Sequence, residues 1–207
     1  MLQQMVNSLK KRYGITAQIQ LIGSGANNLV TRNGNSSFDL DYNLILQSMP
    51  DEYMENTARL KDTVRTELDR HIVNGFSHGQ DSTASVTYIY HKDGKDCFHF
   101  DLGIILCGTD GRSYRLINNK TQGAYIWNEV MDTRNIHRMA QAIHQRKDWN
   151  QLRAKYLELK NYHLRQQDSL PSYDIYAEAV NLTYNEVNKH VKSIRQQPHS
   201  AADGSSR

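Results

Sequence analysis

Apolar residues recur at two different periods along this 207-residue chain, and the places where the period changes divide it into elements. Leu2, Met5, Val6 and Leu9 share one helical face and stop near Gly14, which predicts a short opening helix. Residues 15–22, ITAQIQLI, alternate apolar and polar positions and predict a strand that ends at Gly23-Ser24-Gly25. A second strand is predicted over 38–46, FDLDYNLIL, after the turn-forming run TRNGNSS. Residues 50–73 predict one long helix, with Pro50 in its first turn and Asp51 and Glu52 set against the positive end of the helix dipole. Two β-rich runs, TASVTYIYH over 83–91 and DCFHFDLGIIL over 96–106, flank Lys92-Asp93-Gly94-Lys95, a hairpin signature that predicts their pairing.

After Gly108 the pattern reads as helical, with helices expected over 121–131, 134–147, 149–167 and 172–193, the last opening after Ser169-Leu170-Pro171. The predicted organisation is therefore a strand-rich core over 1–110, a helical segment over 111–195, and a disordered tail over 196–207. This is an α/β or α+β arrangement, with a twisted mixed sheet and a helical annex.

Composition narrows the setting. A hydrophobic fraction of 38% in a chain of this length supports a real core. The formal charge of +3, from 25 basic against 22 acidic residues, is too small to mark a nucleic-acid partner by itself. Cys97 and Cys107 lie in one apolar stretch without the paired spacing of a zinc site, and read as buried strand residues in a reducing compartment. No apolar run approaches the roughly 20 residues that span a bilayer, and the opening segment lacks the apolar centre of a secretory signal. A cytoplasmic protein without a membrane partner is expected.

The candidate chemistry lies in the strands. In FDLDYNLIL, Asp39, Asp41 and Asn43 point one way while Phe38, Leu40, Tyr42 and Leu44 point the other. Two carboxylates one pleat apart repel each other, and a cation such as Mg2+ offsets that repulsion. In the later strand Phe98, Phe100 and Leu102 share one face, and Cys97, His99 and Asp101 share the other. If the two strands are sheet neighbours, Asp39, Asp41 and Asp101 form a set able to hold two metal ions for in-line displacement at phosphorus. Gly23-Ser24-Gly25, ending a strand and leading into a helix expected near Ala26, offers backbone amides and the Ser24 hydroxyl to phosphate oxygens.

Ile22-Gly23-Ser24, Asp39-Leu40-Asp41-Tyr42 and Phe100-Asp101-Leu102 together resemble the nucleotidyltransferase superfamily of DNA polymerase beta. The long spacer between the first two motifs is similar to that of the cyclic GMP-AMP synthase and bacterial dinucleotide-cyclase branch. The resemblance covers roughly residues 15–106. It implies an α+β mixed sheet with flanking helices, and an enzyme that moves a nucleoside monophosphate from an NTP to an acceptor hydroxyl, releasing pyrophosphate. It further implies that Asp39 and Asp41 bind both Mg2+ (or Mn2+) ions, that Asp101 completes the one beside the attacking hydroxyl, and that Gly23 and Ser24 grip the triphosphate. The acceptor stays open: a nucleotide, an RNA end, a protein side chain or a small molecule.

Other readings compete for the same residues. The opening of a calcium loop fits Asp39-Leu40-Asp41-Tyr42-Asn43, but Leu44 stands where glycine is needed and Pro50 where the bidentate glutamate belongs. A DxD pair also serves nucleotide-sugar glycosyltransferases, although little chain precedes it here. The aspartates also fit strand-edge charges that discourage aggregation, and the same fold also fits a silent nucleotide-binding or protein-interaction module. His99 reads as either a structural histidine or an orienter of a metal ligand. Lys120, in RLINNKTQG at an expected helix start, is a candidate triphosphate contact that also fits a solvated lysine. Tyr125, Trp127 and Trp149 suit a core at least as well as a base-stacking surface.

Overall fold

Opposite faces of the same strands carry apolar and acidic residues, and the sheet is built around that division. The structure, a computed structural model, describes residues 1–27, Leu29, 37–166, Leu170 and 172–195, with side chains as far as residue 188. Most of the expected turn TRNGNSS and the tail over 196–207 lie outside the described residues, as do Ser169 and Pro171. The chain forms two compact units, Met1–Asp132 and Thr133–Arg207.

In the first unit, α1 (Leu2–Tyr13) leads into β1 (Thr16–Ile22), a helical turn α2 (Gly23–Ala26), and β2 (Phe38–Ser48). Helices α3 (Asp51–Glu55) and α4 (Thr57–Asp69) follow, then β3 (Gln80–Asp81), β4 (Val86–Lys92), β5 (Lys95–Cys107), β6 (Ser113–Asn119) and β7 (Ala124–Glu129). The sheet runs β1-β2-β5-β4-β3, with β6 pairing β5 and β7 beyond it. Only β2 and β5 pair in parallel among the described strands, which makes the sheet mixed, as expected.

The core lies on one sheet face. Leu44 and Leu46 of β2, Val86 and Tyr88 of β4, and Phe100, Leu102 and Ile104 of β5 are buried there with Met5 and Leu9 of α1 and Leu60, Val64 and Leu68 of α4. Each fully buried side chain of this size contributes roughly 1.5–3 kcal/mol. The hairpin between β4 and β5 turns at Asp93 (φ 52°) and Gly94 (φ 71°), the two left-handed residues of a type I′ turn.

Four expectations need correction. The long helix expected over 50–73 is two helices, because the Asn56 side chain accepts the Arg59 amide at 2.9 Å and starts α4 with its own cap. The helix expected over 121–131 is strand β7, paired with β6 from Asn119↔Ala124 to Tyr114↔Glu129. A boundary at residue 110 would thus cut the sheet between β5 and β6, whereas the first compact unit runs to Asp132. The cysteines are both in β5 as expected and both free thiols, but Cys97 is half-buried and Cys107 exposed.

The second unit consists of α5 (Arg134–Gln145), α6 (Trp149–Gln166) and α7 (Ser172–Arg195), close to three of the expected helices. Ala140, Ile143, Leu152, Tyr156, Ile175, Ala179 and Val180 form its buried interior. Among the described residues no helix is long and apolar enough to cross a membrane.

Glu67 ties α4 to α1. Its side chain is 1% exposed and accepts from the Ser8 hydroxyl, from Arg12 Nη1 at 3.3 Å and from Arg70 Nη1 at 2.9 Å. Burial raises its pKa, but Ser8, Arg12, Tyr13 and Arg70 outweigh burial and hold the carboxyl below its ordinary value. A carboxyl depressed on folding stabilises the protein above its unfolded pKa and loses that contribution as pH falls through the folded value. Glu67→Gln is therefore expected to cost about 2 kcal/mol near pH 7. The deficit should shrink below about pH 4, as read from urea midpoints at both pH values.

Candidate active site

Register on the core face decides what meets on the other. Phe38 stacks on Phe98 with ring centroids 5.4 Å apart, Tyr42 meets Phe100 edge-on at 6.1 Å, and Tyr88 stacks on Phe100 at 4.9 Å. These pairs fix β2, β5 and β4 against one another, since a slip of one residue would turn every side chain to the wrong face. In that register Asp41 lies directly opposite Asp101, Asp39 opposite His99, and Asn43 opposite Gly103. The condition left open by the sequence is met: the two acidic strands are neighbours, and three carboxylates share one sheet face.

Each carboxylate has a different setting. Asp39 is 71% exposed, with Oδ1 3.6 Å from His99 Nδ1. Asp41 stands against the first turn after β1, because Ile22 is its register partner and Gly23 follows immediately. Gly23 has φ 63°, and a Cβ built there would lie 2.7 Å from Asp41 Oδ2. The Gly-Ser motif thus touches the DxD motif through the absence of a side chain. Asp101 is held on Oδ1 by the Ser85 hydroxyl at 3.2 Å and by the Thr87 hydroxyl, from the neighbouring strand β4 and the loop before it.

The helix expected near Ala26 begins earlier: Gly23 and Ser24 form the first turn of α2, which ends at Ala26. Asn27 Nδ2 donates to the Gly23 carbonyl at 2.8 Å, and the Leu29 amide to the Ser24 carbonyl at 2.9 Å, which fixes the turn. Lys120 is exposed and lies in the turn between β6 and β7 rather than at a helix start. It lines an open depression of about 400 Å3 with Thr83, Ile117, Asn118, Asn119 and Thr121, and none of the three aspartates lines it. Tyr125 and Trp127 pack against the core cluster, in keeping with the core reading, and Trp149 meets His144 edge-on.

His99 sits between two carboxylates, with Nε2 3.8 Å from Asp96 Oδ2. Its contacts with the two carboxylates, at 3.6 and 3.8 Å, are longer than hydrogen bonds, so the structural reading of this histidine fits at least as well as an orienting one.

Three residues not singled out from sequence complete the face. Ser85 and Thr87 alternate with Val86 and Tyr88, and this polar-apolar alternation was the available signal. Arg115 had none, because β6 was not expected as a strand. It pairs in register with Ile105, and its Nη2 donates to Asn43 Oδ1 at 3.2 Å. Desolvation lowers the guanidinium pKa, and the charges of Asp41 and Asp101 work against that fall. A Cβ on Gly103 would come within 3.3 Å of Arg115 Cζ, so the glycine makes room for the cation.

No family model matches the sequence, and no curated protein matches it. Solved structures do match the fold. Vibrio cholerae DncV bound to 3′-deoxy ATP superposes with a TM-score of 0.56 at 15% identity, over 92% of this chain and 48% of that one. The fold is a nucleotidyltransferase fold. The DncV cyclic AMP-GMP synthase in complex with the linear intermediate 5′ pppA(3′,5′)pG gives 0.57 at 15%, over 92% and 50%, and the GTP-bound form gives 0.55 at 15%, over 82% and 45%. The chain thus spans about half the length of the structures it matches. The resemblance first carried by short motifs extends over nearly the whole chain as a likeness of nucleotidyltransferase fold.

The donor set suits a hard divalent cation, being carboxylate oxygens on adjacent strands. Among the described residues, however, no three His, Cys, Asp or Glu side chains are gathered into a group that would hold an ion as they stand.

Gly23 provides a direct test of this geometry. Gly23→Ala is expected to cost about 1–2 kcal/mol, since alanine is strained at that φ and its methyl collides with Asp41. Gly25→Ala should cost less, because its Cβ would meet only flexible leucine methyls of Leu21 and Leu40 at 3.0 and 3.1 Å. Thermal unfolding of the two variants checks the order.

Proposed function

We propose that this protein is a metal-dependent nucleotidyltransferase that transfers a nucleoside monophosphate from an NTP to an acceptor hydroxyl, with pyrophosphate leaving. The observation that carries the reading is the Asp41–Asp101 rung of the parallel β2–β5 pair, with Gly23 against Asp41, on a fold like that of the cyclic AMP-GMP synthase DncV. Two carboxylates on neighbouring strands are costly to keep together unless a cation offsets them.

Asp39, Asp41 and Asp101 would hold Mg2+ (or Mn2+), which when bound neutralises phosphate charge and lowers the pKa of the attacking hydroxyl. The chain's own residues do the rest. The Gly23–Ser24 turn, lacking a side chain at its first position, lets the triphosphate approach the backbone, and the Ser24 hydroxyl donates to it. Ser85 and Thr87 fix the orientation of the Asp101 carboxylate. Catalysis of this kind is mostly positioning and charge neutralisation, which suits side chains built on strands rather than loops. DncV is a cyclic AMP-GMP synthase, so a nucleotide hydroxyl is the first acceptor to try, with RNA next.

Incubation with each α-labelled NTP and Mg2+ or Mn2+ tests the proposal. Pyrophosphate release should be metal-dependent and fall to background in the Asp39→Ala, Asp41→Ala double variant. Thr87→Val should retain activity reduced by about 10–100-fold, the usual effect of removing a partner of a metal ligand. No release from any NTP by folded protein that still binds nucleotide would favour a binding module instead.

A further inference from the structure

The acidic face contains its own cation. Arg115 reaches across from β6, beyond β5, and its guanidinium lies over the Asn43–Gly103 rung. That rung is one pleat from the Asp41–Asp101 rung, a step of about 7 Å along the strands. The position is prepared on three sides: Asn43 supplies an acceptor at 3.2 Å, Gly103 gives up a side chain, and the pairing with Ile105 points Arg115 to this face. An arginine in a half-buried setting stays charged, and the charges it feels there are those of Asp41 and Asp101.

We infer that Arg115 is a resident counter-charge for the Asp41–Asp101 rung, a positioning residue that holds the carboxylates together without a metal and weakens the capture of free divalent ions. The inference deepens the proposed nucleotidyltransferase reading and rests on it for its use. Three carboxylates against one guanidinium leave a deficit that a single divalent ion neutralises. A second ion then finds no net negative charge left to attract it and binds well only when an anionic polyphosphate arrives with it. The nucleotide-free protein would therefore load ions weakly and reach full occupancy only with an NTP present.

Mn2+ titration of nucleotide-free protein, followed by the loss of the free-ion electron spin resonance signal, tests this without turnover. Arg115→Met is expected to bind Mn2+ about tenfold more tightly than wild type, since a like charge near the ion has been removed. Arg115→Lys, which keeps the charge, should stay within about threefold of wild type. In the presence of chelator the Met variant should unfold at lower temperature, and Arg115→Met with Asp41→Asn should recover much of the loss, because one negative charge has gone as well. Equal Mn2+ affinity in wild type and the Met variant, including no binding in either, overturns the inference. Equal shifts in the Met and Lys variants, or no recovery in the double variant, would assign Arg115 to packing and overturn it too. If wild type releases no pyrophosphate yet the Met variant gains Mn2+ affinity, the counter-charge stands and the nucleotidyltransferase reading falls.

Discussion

Like charges held side by side are the constraint on which this structure turns. Parallel pairing of β2 with β5 puts Asp41 against Asp101 at the inter-strand spacing of about 4.8 Å. The offset comes from the far side of the sheet, where stacked aromatic rings lock the register, and from Arg115, Ser85 and Thr87 around the carboxylates. The core face therefore does for the acidic face what a scaffold does for a fixture, holding it where its own electrostatics would not.

Much of this was legible in the sequence because strands write their two faces in alternate letters. FDLDYNLIL and DCFHFDLGIIL give both the apolar core positions and the acidic ones, and Asp93-Gly94 names the hairpin turn. What could not be read was the pairing of β2 with β5, which joins residues 60 positions apart and leaves no local trace. β6 and β7 were missed for another reason. SYRLINN has a single fully buried residue, Leu116, and AYIWNE has none, so neither shows a clean alternation against the helical pattern that follows.

Missing those strands hid Arg115 and misplaced Lys120. An arginine in a segment of unassigned structure is one of many surface cations; the same residue opposite Ile105 and over Gly103 becomes part of the acidic face. Asn56 shows the same limit at smaller scale. Its capping geometry separates α3 from α4, yet in the sequence it is one polar residue inside an otherwise continuous helical run.

The parallel β2–β5 pair also sets an order of events as the chain leaves the ribosome. β1 and β2 can close on each other early, but the other edge of β2 must wait for β5, whose partner residues lie 60 positions later. During that interval an apolar strand presents an open edge, the situation that invites pairing with another chain. Asp39 and Asp41 interrupt that edge with charge at alternate positions, as gatekeeper residues do. The same two carboxylates that stand opposite His99 and Asp101 in the finished sheet thus carry the charge that disfavours such pairing while the edge is open.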